Sequence, residues 1–362
     1  MLSIRRAEVE SYLQTAFGPD VVLRSVGAIG ERASRASIKR YGYGTPIAIT
    51  FSQDGRERTV VLETMQPGPF GHEHRADRAQ AILWDYDSYG RLPRHVPALD
   101  VGAVSGNGRL FSVRDAEEFF VITQHTAGKS YHLDLERMAR DGRLAAGDAQ
   151  RAHALARYLV EIHRRKKRSP GLYRRRIREL IGHGECIMGL TDSYPRRFGF
   201  IDEKLLRSIE DGANAWRWRL HHLGGRLCAV HGDFHPWNVL FRRGVDFSVL
   251  DRSRGEWGEA ADDVTAMVIN YLFFSLRRYG RLQGPFEKLF RGFWSTYEEG
   301  ARDRHLRRVV APFFAFRGLV IASPLWYPAL DLDVRRMIFR FMQNVLDSPS
   351  FDPGDVNRYL AE

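Results

Sequence analysis

Residues 227–263 read LCAVHGDFHPWNVLFRRGVDFSVLDRSRGEWGEAADD, and this stretch decides the fold. Its short apolar runs predict two strands, 239–241 and 247–250, joined by the turn RRGVD. Polar residues stand before the first strand and after the second: His231, Asp233, Asn238 and Asp251. Buried carboxylates are costly unless they have partners, so this cluster indicates a functional site.

The spacing within the cluster is that of the protein-kinase catalytic loop, H-R-D-x-x-x-x-N. There the aspartate accepts the proton of the substrate hydroxyl, and the asparagine holds Mg²⁺. Asp233 and Asn238 have the same separation, and Asp251 stands at the next strand end, where a second metal-binding carboxylate is needed. A triphosphate is so negative that its transfer requires cations, and hard Mg²⁺ selects carboxylate and amide oxygens.

A different interpretation takes HGDFH as alternating transition-metal ligands, His231, Asp233 and His235, as in some metallohydrolases. It leaves Asn238 and Asp251 without a role. A third treats the segment as an ordinary hairpin with a buried polar turn, which does not explain why carboxylates gather there. The kinase-like pattern accounts for the most residues.

The motif HGDFHPWNVLF, followed by SVLDRSRGEWGEAADDV, resembles the catalytic core of the aminoglycoside phosphotransferase and choline kinase family. The resemblance implies a two-lobed, protein-kinase-like fold of the α+β class that uses ATP and Mg²⁺. It makes Asp233 the base or hydroxyl-orienting residue, with His231 bracing the loop. It also makes Asn238 and Asp251 the metal ligands and Asp263 a structural aspartate.

Two more segments extend the resemblance over residues 118–264. EEFFVITQHTAGK is similar to the strand, hinge and turn where the family holds adenine through backbone groups, with Gln124, His125 and Thr126 at the hinge. Its apolar run also predicts a buried strand. LARYLVEIH is similar to the family helix that ends in Leu-His.

The position of the usual kinase lysine differs in this chain. Kinases use a lysine on the third strand to pair with the phosphates and with a helix glutamate, but in RTVVLETM that position is Glu63. We therefore expect a charge-swapped pair of Glu63 with Arg78 or Arg75, in which the arginine also reaches phosphate. The glycine pairs of residues 27–30 and 42–44 are more typical of plain turns than of a phosphate-covering loop.

These patterns predict a phosphotransferase that moves the γ-phosphoryl group of ATP to a hydroxyl of a small-molecule acceptor. The acceptor stays open among an antibiotic, a sugar, an amino alcohol and a protein serine. Glu63 favours the alternative of a pseudokinase or binding module that kept the fold without ordinary ATP handling. Asp233, Asn238 and Asp251 favour the enzyme, because a non-catalytic protein has no chemical need for all three.

The character of the chain changes near residue 125. Before it, TPIAITF and RTVVLETM predict an antiparallel hairpin with Asp54 and Gly55 in its turn, and HEHRADRAQAILWDYDSYGRL predicts a helix. After it, helical spacing of apolar residues predicts these segments: 146–163, 203–223, 262–279, 285–299, 305–321 and 334–346. We expect a strand-rich, nucleotide-covering lobe over 1–125 and a mainly helical catalytic lobe over 126–362.

The composition, 362 residues with 44% hydrophobic, excludes a disordered or fibrous protein. With only Cys186 and Cys228 and no signal-peptide pattern in MLSIRRAEVESYL, we expect a reduced, cytoplasmic protein. Two apolar stretches, 264–276 and 309–327, predict core helices and no membrane span, because the first is too short and the second contains Arg317.

The formal net charge of +11 fits an anionic partner, either a nucleotide or a nucleic acid. The basic run over 164–178 contains little aromatic character, so nucleic-acid stacking is not supported and a solvated face is the preferred interpretation. Glu256, Glu259 and Asp262 follow Asp251; they either attract a cationic acceptor or, as we prefer, are solvated loop charges.

Overall fold

A computed structural model describes residues 5–29, 44, 46–89, 91 and 93–361. The chain divides into two compact units, residues 1–123 and 124–362, each with a hydrophobic core of its own. The division falls close to residue 125, where the sequence changes character. Of the two glycine pairs, residues 30 and 42–43 lie outside the described residues.

The described residues of unit 1, which spans residues 1–123, form two antiparallel sheets and two helices. The helices are α1 (Arg6–Phe17) and α2 (Arg75–Tyr89), and the strands are β1 (Val22–Ala28), β2 (Ile47–Gln53), β3 (Arg56–Leu62), β4 (Gly102–Val104) and β5 (Leu110–Ser112). Strands β1, β2 and β3 pair in that order, and β4 pairs with β5. Asp54 and Gly55 turn the β2–β3 hairpin with φ of 50° and 74°, as a two-residue turn requires. The predicted hairpin and the helix after it are confirmed.

The apolar run at the end of unit 1 does not form the predicted strand. Phe119, Phe120, Val121 and Ile122 are 64–86% exposed, and no described strand pairs with them. A strand is stable where a neighbouring strand supplies its hydrogen bonds and another layer covers its side chains. The prediction of a buried strand is wrong because apolar composition does not provide a pairing partner.

Unit 2, residues 124–362, is mainly helical. Its helices are α3 (His132–Asp141), α4 (Asp148–His163), α5 (Pro170–Gly182), α6 (Ile187–Ser193), α7 (Glu203–Leu220), α8 (Ala260–Tyr279), α9 (Gly284–Ala301), α10 (Ala311–Ala322) and α11 (Leu332–Asp347). Its strands are β6 (Lys129–Ser130), β7 (Arg197–Phe198), β8 (Ile201–Asp202), β9 (Cys228–Ala229), β10 (Val239–Phe241), β11 (Phe247–Val249) and β12 (Trp257–Gly258). Strand β10 lies between β11 and β6, and β12 pairs with β9, all antiparallel. The predicted β10–β11 hairpin is confirmed.

Helices α8 and α10 form the centre of unit 2. A helix that is apolar on all sides is stable only when buried, and nearly every residue of both helices is buried. Helix α10 packs against α8 and α11. It begins at Ala311, later than predicted, because Pro312 lacks an N–H and is tolerated only in the first turn. No helix among the described residues is both long and apolar enough to cross a bilayer.

Candidate functional site

The loop between β9 and β10 is fixed by Asp263, in the first turn of α8. The Asp263 carboxylate is fully buried and accepts hydrogen bonds of 2.7 Å from the backbone N–H groups of His231 and Gly232. His163, at the end of α4, lies 3.0 Å from the same carboxylate and 2.8 Å from the Tyr297 hydroxyl. Burial alone would raise the pKa of Asp263, but the hydrogen bonds from His163 and His231 hold it below its usual value. This network holds the loop in one conformation.

Asp233, the predicted functional side chain, lies at the centre of this loop. Its Oδ1 accepts a 2.5 Å hydrogen bond from Arg317 Nη1, and its Oδ2 lies 3.3 Å from His235 Nε2. The backbone N–H of Asp233 approaches Nδ1 of His231 at 3.3 Å, so the histidine does contact the loop as predicted. Burial alone would raise the pKa of Asp233, but His235 and the Arg317 guanidinium lower it well below its usual range. Asp233 is therefore ionised and acts as a hydrogen-bond acceptor.

Asn238 and Asp251 lie at neighbouring points beside Asp233. The Asn238 amide nitrogen donates to the Asp233 carbonyl at 3.1 Å, which leaves its amide oxygen for a cation. The Asn238 carbonyl accepts a 2.9 Å hydrogen bond from Leu250, the residue before Asp251. Asp251 is exposed and has a φ of 51°, a left-handed conformation that is uncommon outside glycine and concentrates at functional sites. An amide oxygen and a carboxylate are the donor set that Mg²⁺ prefers, so these residues fit that ion.

Arg317 is a site residue that the sequence analysis missed. It lies in α10, is 5% exposed, and bonds through Nη2 to the Gly232 carbonyl at 2.9 Å and to Asp262 Oδ1 at 2.7 Å. Its guanidinium carbon lies 4.5 Å from the centroid of the Phe316 ring. The signal was available, because a single arginine within an apolar helix must find carboxylate partners when it is buried. The sequence does not show where those partners lie in the fold.

Two of the three acidic residues that follow Asp251 are not solvated loop charges. Glu259 is 2% exposed and pairs with Arg226 at 2.7 Å, and Asp262 pairs with Arg317. Both stand at the start of α8, whose burial takes their side chains into the core. Glu256 alone of the three is exposed, at 3.2 Å from an exposed arginine.

A cleft of about 670 Å³ opens in unit 2 at Asp233. Charged side chains in its wall are Glu185, Asp233, Asp251, Arg254 and Arg317. Aromatic and aliphatic side chains in its wall include Trp237, Trp326, Tyr327, Leu190, Ile269, Val320 and Ile321. Asn270 also lines it, with an Oδ1 that is buried and has no donor in the described part of the chain. A mainly apolar cleft with a few polar groups is typical of small-molecule sites.

The sequence profile of the phosphotransferase enzyme family, APH, matches residues 112–301, more than half of the chain. The chain belongs to the phosphotransferase enzyme family. The resemblance seen in the sequence and the α+β, protein-kinase-like fold are thereby confirmed. No curated protein sequence matches the chain significantly.

Several solved structures are similar in fold. One is the amicoumacin kinase hAmiN in complex with AMP-PNP, Ca²⁺ and Ami, with 14% identity over 89% of this chain and 91% of that chain and a TM-score of 0.43. Another is a glucosamine kinase in complex with glucosamine, ADP and inorganic phosphate, with 21% identity over 53% and 55% of the two chains and a TM-score of 0.34. The choline kinase LicA from Streptococcus pneumoniae has 12% identity over 93% and 97%, with a TM-score of 0.35. With TM-scores below 0.5, these likenesses carry no further conclusion about this chain.

The charge-swapped pair predicted in unit 1 of this family member is not formed. Glu63 is exposed one residue beyond β3, and no ion pair joins it to Arg75 or Arg78 within the described residues. Arg78 instead donates to the backbone carbonyls of His72 at 2.9 Å and Glu73 at 3.2 Å. The predicted pair is therefore absent among the described residues, and backbone carbonyls just before α2 accept from the Arg78 guanidinium.

The predicted adenine hinge begins unit 2. Gln124 and His125 are exposed, Thr126 is half-buried, and the three form no helix or strand. The turn that follows them lies directly against β10. A Cβ atom at Gly128 would lie 2.8 Å from Cβ of Leu240, so this approach requires glycine. The role of the hinge residues in holding adenine stays a prediction.

The basic run over 164–178 and the histidines of HGDFH are the remaining features that the sequence predicts. Within the basic run over 164–178, residues 164–168 are exposed, but Arg175 and Arg176 are half-buried and pair with Glu179 at 2.6 Å, so the predicted solvated face is formed only in part. His231, Asp233 and His235 do not form a transition-metal site, because the described residues contain no cluster of three or more His, Cys, Asp or Glu side chains able to hold a metal ion.

Proposed function

We propose that this family member transfers the γ-phosphoryl group of ATP to a hydroxyl of a small molecule. The observation that carries the proposal is an ionised Asp233 in the wall of a cleft of about 670 Å³. Asn238 and Asp251 stand beside it with oxygen donors suited to Mg²⁺. The buried Asn270 Oδ1 in the same cleft, which has no donor among the described residues, also suits an acceptor that carries a hydrogen-bond donor.

Asp233 orients the acceptor in this proposal. Its carboxylate accepts a hydrogen bond from the hydroxyl, whose oxygen forms a bond to the γ-phosphorus as the bond to the ADP oxygen breaks. The hydroxyl proton passes to Asp233 late in this step. Phosphoryl transfer has a loose transition state, so positioning and charge neutralisation contribute more than proton abstraction. A carboxylate with a strongly lowered pKa suits that role, because it binds the hydroxyl without holding its proton early in the reaction.

The remaining predicted residues act on the nucleotide. Asn238 Oδ1 and the Asp251 carboxylate would hold Mg²⁺, which neutralises the phosphate charge when bound. The backbone of Gln124, His125 and Thr126 would hold the adenine. Glu63, Arg75 and Arg78 stay candidates for the phosphate side of the nucleotide.

A second candidate function is a pseudokinase or binding module. The observation that favours it is the exposed Glu63 carboxylate, which pairs with neither Arg75 nor Arg78 in the described part of the chain. Such a protein would bind a ligand or partner without transferring phosphate.

Calorimetry with ATP in the presence and absence of Mg²⁺ tests the proposal. We expect Mg²⁺-dependent ATP binding by the wild type and its loss in Asp251→Ala. Asp246→Ala is the matched control, because Asp246 is an exposed carboxylate of the same hairpin that pairs with Arg242. It should bind as the wild type does. No binding by the folded wild type would overturn the proposal in favour of the second candidate.

A further inference from the structure

One guanidinium holds both the backbone and the side chain of the catalytic loop. Arg317 donates from Nη1 to Asp233 Oδ1 at 2.5 Å and from Nη2 to the carbonyl of Gly232 at 2.9 Å. These acceptors belong to adjacent residues, so a single rigid group fixes the peptide before Asp233 and the carboxylate itself. A planar fork with donors at fixed angles is needed for two such contacts, and lysine lacks it.

The arginine is itself held in place from two further directions. Asp262, in the first turn of α8, accepts from Nη2 at 2.7 Å, and the Phe316 ring lies under the guanidinium at 4.5 Å. Arg317 is 5% exposed, so its side chain has little freedom to move. The catalytic loop is therefore joined to α8 and α10 through one residue.

The contacts also distinguish the two oxygens of the Asp233 carboxylate. Oδ1 has the short, charged hydrogen bond to Arg317. Oδ2 has longer contacts, 3.3 Å to His235 and 3.4 Å to Asn238. Hydrogen bonds weaken with distance beyond about 3 Å, so Oδ2 is the oxygen with capacity for another donor.

We propose that Arg317 is the positioning residue of phosphoryl transfer, holding Asp233 so that Oδ2 receives the acceptor hydroxyl. The inference rests on the proposed function. Arg317 acts through Asp233, Gly232 and Asp262. Misplacement of a reacting group by about 1 Å is enough to lower a rate by about 100-fold.

Steady-state ADP release from MgATP, with water as the acceptor, is the test. In Arg317→Met we expect kcat to fall about 100-fold while KM for ATP changes less than about threefold, because the loop is displaced and the nucleotide ligands are not. Arg317→Lys should recover little, since it restores charge without the fork. Millimolar guanidinium chloride added to Arg317→Ala should recover part of kcat, an effect that a destabilised fold would not show.

Arg226→Met is the matched control. Arg226 bridges two carboxylates in the same unit, Glu259 and Asp303, and does not line the cleft. It should lower Tm at least as much as Arg317→Met and leave kcat within about threefold of the wild type. If Arg317→Met does not fold, the kcat of Arg317→Lys and the guanidinium rescue of kcat in Arg317→Ala test the positioning role instead.

The outcomes separate this inference from the proposed function. An active wild type with an equally active Arg317→Met, or an equal loss of kcat in Arg226→Met, overturns the positioning role alone. A folded wild type that neither binds MgATP nor releases ADP overturns the proposed function and this inference with it. A kcat-specific loss in Arg317→Met with guanidinium rescue supports both.

Discussion

Two arginines of unit 2 each bridge two carboxylates, with different results. They are Arg226 with Glu259 and Asp303, here the Arg226 triad, and Arg317 with Asp233 and Asp262, here the Arg317 triad. All three guanidinium nitrogens of Arg226 donate to carboxylates, at 2.6–2.8 Å. In Arg317 the Nε is buried and has no acceptor among the described residues.

The difference separates stability from function within one motif. Buried polar groups are almost always hydrogen-bonded in folded proteins. The Arg226 triad follows this rule, and Tyr173 adds a 2.8 Å hydrogen bond to Glu259. In the Arg317 triad, Arg317 and Asp233 line the cleft, and the Arg317 Nε has no acceptor among the described residues. A buried donor without a partner beside a cleft calls for an explanation, and a ligand that accepts a hydrogen bond from it would supply one.

The largest expected effect separates the two triads by activity. Asp233→Asn should lower ADP release by about 10³-fold, because the neutral amide orients a hydroxyl poorly and takes up no proton. Asp303→Asn in the Arg226 triad should leave the rate within about twofold. Steady-state rates with MgATP measure both, and equal losses in the two variants would mean that the triads do not differ in role.

The second effect concerns stability. Arg226→Met should lower the free energy of unfolding by about 3 kcal/mol, because it leaves Glu259 buried without its cation. Urea denaturation of the wild type and the variant measures the difference. Arg207→Met is the control, since Arg207 is 81% exposed and its pair with Asp211 contributes little. A loss below 1 kcal/mol would show that water or a neighbouring group replaces the arginine.

A smaller effect is expected when the Arg317 triad is altered at Asp262, which bonds to Arg317. Asp262→Asn keeps an acceptor for Arg317 Nη2 and removes one charge, so the rate of ADP release should fall about tenfold. Glu259→Gln makes the same change in the Arg226 triad and should affect Tm and not the rate. A Glu259→Gln rate loss as large as that of Asp262→Asn would contradict this division.

The smallest effect is a pH dependence in the Arg226 triad. Burial alone would raise the pKa of Asp303, but the hydrogen bonds and charge of Arg226 hold it below its usual value. Its carboxylate therefore stabilises the fold above the unfolded pKa of about 3.9, and this contribution is lost as the pH falls through the folded pKa.

Urea denaturation between pH 6 and pH 3 measures that contribution. The stability difference between the wild type and Asp303→Asn should shrink towards low pH. Asp333→Asn, at an exposed ion pair with Arg336, should show a difference that hardly changes with pH. A constant difference for Asp303→Asn would show that the carboxyl has the same pKa in the folded and unfolded states.

Local patterns predict the β10–β11 hairpin and place three candidate site residues near one another. Asp233, Asn238 and Asp251 lie within one segment, so their spacing alone brings them to the ends of β10 and β11. Arg317 lies 84 residues beyond Asp233, and only the packing of α10 on α8 brings it to the loop. No local pattern contains that information.

The errors have the same physical origin. The exposed run that begins at Phe119 has the composition of a buried strand, but strand formation depends on a partner elsewhere in the chain. Helix α5 is absent from the predicted helices. Its buried stripe, which includes Leu172 and Ile177, is interrupted by a series of arginines. Glu63 and Arg78 suit each other in charge, yet nearby backbone carbonyls take the guanidinium.

The chain of contacts from Tyr297 through His163 to Asp263 draws on α9, α4 and α8. The backbone of the loop between β9 and β10 is hydrogen-bonded to Asp263, the last of these residues. A chain in which α4 or α9 has not yet docked would therefore leave Asp263 without its histidine network and hold this loop less firmly. The proposed phosphotransferase would then reach full activity only after α4 and α9 have packed, because the contacts that complete its core also support the loop that contains Asp233.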